Sequence, residues 1–374
     1  MKSRIRRLAV LAAIALLAVA VTGCVESSRP QASGKGAIRG INAIVTSPEL
    51  GFKIEERFLA GVNFRQAAPF TPFDNLTYNF NFDLNVPGVA DSVRVATQFL
   101  DVQVDHEYTV VLGGSIANPT IMYWDDLQRE WSGSETVFEV FFAHLAPSLG
   151  EFDVYFAAPG TAPALGQAVG SLANGERLPV MEFEEGAYEL ILTPRNDPAT
   201  IAFQSTELAV AARIRITIAV FDPDPARTGN VAVSLLRSDG SSSALPDPRF
   251  PQQARMLHAA FGTQNFDGYV NGDFATVVYP DVGVMEQSPY ADIATTPATF
   301  TATQVGNSGA TIHEDDVAVP AGTRNTIALA GGKTSPVGCS AAWNCASSVI
   351  RIRSMRASAT CPPRVSSWDP AARA

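Results

Sequence analysis

Short runs in which apolar and polar residues alternate dominate the chain from about residue 37 to residue 333. LTYNFNFDL (76–84), AYELILT (187–193) and ATFTATQV (298–305) repeat every second residue, the period of a half-buried strand. DHEYTVVLGG (105–114), ARIRITIAVF (212–221) and TRNTIALAGG (323–332) read as strands that close successive units. Turn chemistry such as NPT, TPRNDP, DPDP, SDGSSS and LPDP separates the runs. A period of 3.6 is rare, and ALGQAVGSLANG (164–175) is the best place for a short helix.

The pattern is repeated. FFAHLAPSLGEFDVYF (141–156) and RMLHAAFGTQNFDGYV (255–270) align without a gap at an offset of 114 residues. His144, Asp153 and Tyr155 fall on His258, Asp267 and Tyr269. A weaker third copy, IRGINAIVTSPELGF (38–52), puts Asn42 in the histidine place and Gly51 in the aspartate place. Three units follow, over 37–134, 135–250 and 251–333. Many short alternating strands predict an all-β chain of tandem antiparallel β-sandwiches with immunoglobulin-like or Greek-key connections. Acidic residues on the polar phase of the strands are expected to face solvent.

A strand running into His-Ala or Asn-Ala, a short loop and an F-D-V-Y-like strand resemble the repeats of the bacterial domain-of-unknown-function family 4397. The carriers are the three stretches just quoted, and the likeness extends over most of residues 37–333. Unit one departs from the pattern by lacking both His and Asp. The resemblance implies tandem domains in secreted or lipid-anchored bacterial proteins, and it implies no catalytic activity.

The ends differ from the body. Lys2, Arg4, Arg6 and Arg7 precede an uncharged apolar run, Leu8–Val21, too short to cross a hydrocarbon core of roughly 30 Å. Residues 1–23 therefore read as a signal peptide. VTGC (21–24) resembles a lipobox, which implies acylation at Cys24 and a flexible tether to residue 36. Acyl chains contribute roughly 0.8 kcal/mol per buried methylene, so more than one chain anchors stably. Val25 in place of an aspartate points to export to the cell envelope and the outer membrane. From 334 to 374 the alternation stops and Cys339, Cys345 and Cys361 appear with five arginines and one acid. That composition suggests an irregular, out-of-frame or degenerate tail.

Charge narrows the partners. The chain carries −10, and removing +4 at each end leaves −18 on the body, which repels nucleic acid and anionic lipid. The membrane is met through the N-terminal lipid alone, and an envelope protein or glycan is the expected ligand. His144 and Asp153 could act as base and orienter, but no nucleophile elbow accompanies them and unit one replaces both. They are expected to be structural, with no catalytic residues, no metal and no cofactor. WDD (124–126) and FDPDPARTGN (221–230) offer carboxylates to calcium without EF-hand spacing. Tyr123, Trp124 and Trp131 form an aromatic group suited to stacking on a sugar or a protein, or to burial. The sequence thus predicts a lipid-anchored, non-catalytic binding or structural protein. An envelope-polymer hydrolase and a calcium-dependent adhesin are the alternatives.

Overall fold

The computed structural model describes residues 32–341 except 87, 89–90 and 333–334. Cys24, the tether as far as residue 31, Cys345 and Cys361 lie outside the described residues, and the last two tether positions, Lys35 and Gly36, already belong to the first strand. Unit one contains β1 (Lys35–Asn42), β2 (Leu50–Ile54), β3 (Arg57–Val62), β4 (Thr71–Asp74), β5 (Thr77–Leu84), β6 (Val93–Asp101), β7 (His106–Gly114) and β8 (Pro119–Leu127). Unit two contains β9 (Val137–Leu145), β10 (Phe152–Ala157), β11 (Gly170–Leu172), β12 (Met181–Glu184), β13 (Gly186–Pro194), β14 (Phe203–Gln204), β15 (Leu208–Val210), β16 (Arg215–Phe221), β17 (Ala232–Arg237) and β18 (Ser242–Leu245). Unit three contains β19 (Gln253–Phe261), β20 (Phe266–Val270), β21 (Tyr279–Val282), β22 (Ala291–Asp292), β23 (Ala298–Gln304), β24 (Asn307–Val317), β25 (Arg324–Gly332) and β26 (Ser335–Ala341).

All three units share one plan. A first sheet orders the strands fourth–first–seventh–eighth, and a second orders them third–second–fifth–sixth. Unit two splits its sixth strand into β14 and β15 and adds β18 beside β17. The ladders are antiparallel except where the first strand meets the seventh, which is parallel in each unit (β1/β7, β9/β16, β19/β25). The sheets are therefore mixed, and the all-β sandwich expected from the alternation is present three times.

Three differences from the sequence reading have physical causes. The stretch 164–175 is not helical: Gly166 and Gly175 adopt φ +77° and +83°, which a right-handed helix does not allow, and β11 forms between them. The strand read as closing each unit is the seventh, and an eighth follows it. In unit three that eighth strand is β26, paired from Gly332↔Ser335 to Thr326↔Ala341, so the third sandwich runs past residue 333 into the Cys339 segment. SPVGCSA is too poor in alternating apolar residues to announce itself.

The third difference is that the acidic residues do not all face water. Glu139, Asp83, Asp153, Asp222, Asp247 and Asp267 are buried. Glu139 is buried by the stacking of units one and two, whereas the other five are held by hydrogen bonds and ion pairs within their own units. The sheet containing β1 and β7 lies against the sheet containing β9 and β16, so both are covered on both faces. A strand buried on both sides reads as a continuous apolar run, as VFEVFFAHL of β9 does. Each unit has its own apolar cluster. A fourth spans units one and two, joining Ile41, Phe64, Ala67 and Val111 to Ala143, Leu145, Ala219 and Phe221. Units two and three meet through backbone, with Arg324 N–H donating to the Ala226 carbonyl (2.9 Å) and Thr228 N–H to that of Gly322 (3.2 Å).

Phe221 is fully buried and meets Phe64 of unit one edge to face at 5.8 Å. Phe221→Ala is expected to cost about 3–5 kcal/mol and to split one shared calorimetric transition of units one and two into two. A loss below about 1 kcal/mol with the transition unchanged would contradict the shared core.

Candidate functional site

The repeated His/Asp motif resolves into two separate structural devices. His144 is the eighth residue of β9, in phase with the core residues Val140 and Phe142, and its ring stacks on Phe152 at 5.2 Å. Its Nδ1 accepts from Ala146 N–H (3.2 Å) and its Nε2 meets the Gly150 carbonyl (2.9 Å), so Nε2 carries the proton. His258 repeats this with Ala260 N–H (3.3 Å), the Gln264 carbonyl (3.1 Å) and Phe266 (5.1 Å). Asn42 does the same work in unit one: its Oδ1 accepts from Ile44 N–H at 3.0 Å, and its Nδ2 donates to the Val62 carbonyl and Ser47 Oγ. Imidazole and carboxamide both offer an acceptor two residues back from the amide and a donor aimed across the loop. Each clamps the turn between the first and second strands.

Asp153 sits on β10 out of phase with the core residues Phe152 and Val154, so it lies on the outer face of the other sheet. The fold does not bring His144 and Asp153 together as a dyad. Asp153 accepts from Ser171 Oγ (2.5 Å) and Asn196 N–H (2.7 Å), and Asp267 accepts from Asp281 N–H (2.9 Å) and Gly306 N–H (2.8 Å). Asn196 and Gly306 both have positive φ, so each carboxylate ties down the left-handed residue of the turn after the fifth strand. Tyr155 and Tyr269, on the same face, are buried.

Unit one places its buried carboxylate on the neighbouring strand, with other partners. Gly51 pairs with Asp83, where Asp153 pairs with Thr193 and Asp267 with Thr303. The buried carboxylate has crossed one rung of the ladder. Burial works against its charge, but hydrogen bonds from Lys53, Arg94 and Ser92 hold the Asp83 carboxyl below its ordinary value.

The aromatic group is divided. Tyr123 and Trp124 are neighbours on β8 and point to opposite faces. Tyr123 is exposed, whereas Trp124 packs into the seam between units one and two, with Arg177 at 5.0 Å over its ring. Trp131, in the connection between those units, is half-buried and carries Arg129 at 4.8 Å. The carboxylates considered for calcium are engaged elsewhere. Asp125 meets His106, Asp126 takes Arg177 on both oxygens, Asp222 accepts from Ser148, and Asp224 pairs with Arg65 across the units. Among the described residues, no three His, Cys, Asp or Glu side chains converge.

The seam holds a charge network that the sequence reading missed. Arg39 of β1 donates to Thr109 (3.0 Å) in its own unit and to Thr217 (2.8 Å) in unit two. Burial lowers its pKa to about 10, with Glu107 and Asp126 acting in the opposite sense, so it stays charged at neutral pH. Arg215 joins Glu107 of unit one (2.7 Å) to Glu139 of unit two (2.6 Å). Arginines set inside the apolar strands IRGIN and ARIRIT were the available signal. At its open end the seam widens into a pocket of about 310 Å³ lined by Trp131, Arg129, Arg213, Arg215, Arg237 and Asp239, with Glu107 at its base. Arg213 and Arg237 form no ion pair among the described residues. The pocket offers one indole and two guanidinium groups without an ion-pair partner among the described residues, suited to carboxylates and hydroxyls.

Asn42 supplies the control for the clamp. His144→Asn is expected to stay within about 1 kcal/mol of the native chain, while His144→Leu loses about 1–3 kcal/mol by stranding an amide and a carbonyl. Burial lowers the His144 pKa below its ordinary 6.5, so the unfolded chain binds the extra proton. Its contribution is complete above pH 6.5 and drains as pH falls through that value. Urea midpoints should therefore fall less steeply below pH 6.5 in His144→Asn than in the native chain, and parallel curves would refute this.

Comparison with known proteins adds the following. No curated protein matches the chain. Among solved structures, one named "The Bacillus anthracis TIE protein" matches at 9% identity and a TM-score of 0.16, covering 80% of this chain. The chain spans 50% of that structure's length, and so loose a superposition carries no argument. The model of a family described as "Domain of unknown function (DUF4397)" matches residues 36–155. The match runs from within β1 to Tyr155 in β10, taking in all of unit one and the opening strand pair of unit two. Over residues 36–155, the chain is similar to the DUF4397 family.

Proposed function

We propose that this chain is a non-catalytic binding and structural protein of the bacterial cell envelope, held to the membrane by lipid on Cys24. The pocket at the seam of units one and two carries the reading. A buried ion network fixes Arg215 and Glu107 in its lining, and Trp131 stands there with Arg213 and Arg237, which form no ion pair among the described residues. Preformed donors of this kind bind without the cost of ordering them. An anionic, hydroxyl-rich segment of an envelope polymer fits this chemistry: guanidinium forks for its carboxylates and an indole for its apolar ring faces.

The non-catalytic part is supported by what the titratable groups are doing. Both clamp histidines have each ring nitrogen engaged by loop backbone, and Asp153 and Asp267 are saturated by turn donors. The pocket lining includes no histidine or cysteine to serve as base or nucleophile.

Two experiments test the proposal. Titrating acidic oligosaccharides into the chain begun at Val25 should show saturable binding that weakens about tenfold, near 1.4 kcal/mol, in Trp131→Ala and in Arg213→Ala. Unchanged affinity in both variants would remove the pocket from the reading. In cells fed labelled palmitate, Cys24→Ala should lose the label; persistent labelling would end the lipid-anchor reading.

A further inference from the structure

The repeat sets equivalent residues of the three units in register, and one constellation is built twice. Three residues before the clamp stand Arg39, Phe141 and Arg255, each paired on the seventh strand with a threonine: Thr109, Thr217 and Thr326. In unit one, Arg39 Nε donates to Thr109 Oγ1 at 3.0 Å and its guanidinium lies 4.4 Å over Phe70. In unit three, Arg255 Nε donates to Thr326 Oγ1 at 3.0 Å and its guanidinium lies 4.6 Å over Tyr290. In unit one this constellation docks unit two, because the other arm of Arg39 reaches Thr217.

Unit three presents the same face, and among the described residues no side chain of another unit forms a hydrogen bond or ion pair with it. Ile41 and Val111 of unit one are wholly buried in the seam, whereas their equivalents Leu257 and Ala328 are only half-buried. Arg255 and Arg324 share the ring of Tyr290, and neither forms an ion pair among the described residues.

We propose that this outer face of the β22–β19–β25–β26 sheet docks a β-sandwich of another chain, whose apolar sheet face sets a carboxylate against Arg324. The seam of units one and two is the template. Glu107 and Arg215 each stand two residues before the shared threonine, and they meet across the seam at 2.7 Å. Equivalent positions in contact mark a local two-fold relation, where unlike charges are required. Arg324 holds that place in unit three. An identical copy docked in the same way would press Arg324 against Arg324. Residues 342–374, with five arginines and one acid, carry the wrong sign as well. A carboxylate-bearing sandwich satisfies the face.

The probe is this chain carrying Arg324→Glu, which puts an acid where unit one has Glu107. Native chain and variant should each sediment as monomers alone and as a 1:1 heterodimer when mixed. Leu257→Asp in either component should abolish the heterodimer while leaving circular dichroism and thermal midpoint unchanged. Ala328→Arg, on the neighbouring strand, serves if Leu257→Asp does not fold. A mixture that stays monomeric overturns the proposal, as does a complex that survives these face substitutions. Self-association of the native chain that Leu257→Asp removes would make a second copy the occupant and overturn the acidic partner.

Discussion

The arrangement of the first two units depends on the stacking of two sheets whose outer faces are hidden from water. An antiparallel sandwich ordinarily keeps one face of each sheet wet, and its strands alternate accordingly. Here β1 and β7 are pressed against β9 and β16, so four layers of sheet share a continuous interior. The apolar half of that contact is a small core of its own. The polar half confines Arg39, Arg215, Arg177, Glu107, Asp126 and Glu139, which neutralise one another across the boundary. Removing one member of such a buried set leaves a charge stranded and costs far more than the set contributes as a whole. The network therefore fixes one register between the units, and the pocket beside Trp131 inherits its shape from that register.

Much of this architecture was legible before any coordinates. The offset of His144, Asp153 and Tyr155 from His258, Asp267 and Tyr269 revealed the repeat. The alternation in LTYNFNFDL, AYELILT and ATFTATQV located the fifth strand of every unit. What escaped was non-local. Continuous runs such as VFEVFFAHL hold the signal of two-sided burial, but nothing within a run says which sheet will cover it. Arg39 and Glu107 look like solvent-facing residues until Thr217 and Arg215, far along the chain, arrive opposite them. The eighth strand of unit three was hidden by composition, since SPVGCSA pairs through backbone and shows little apolar pattern.

The clamp and the turn carboxylate show how repeats drift while keeping their geometry. Asn42 substitutes for a histidine because the loop asks only for one acceptor and one donor at fixed positions. Asp83 keeps a buried carboxylate on the adjacent strand of the same rung, where Lys53, Arg94 and Ser92 side chains satisfy it in place of turn amides. Alignment position and physical role have separated in unit one, which is why its sequence looked deficient and its structure is not.

The parallel pairing of first and seventh strands fixes where the chain enters and leaves each unit. In unit one, Ala37, Glu107 and Asp126 lie in one row across β1, β7 and β8, so entry and exit share one end of the sandwich. A pull applied between those two points loads the β7–β8 rungs one after another, from His106↔Leu127 inward, instead of all at once. The unit is thus a zipper under tension and not a shear clamp. A protein tethered at one end to a moving surface would yield strand by strand, and the cross-unit arginine network is what resists the first step.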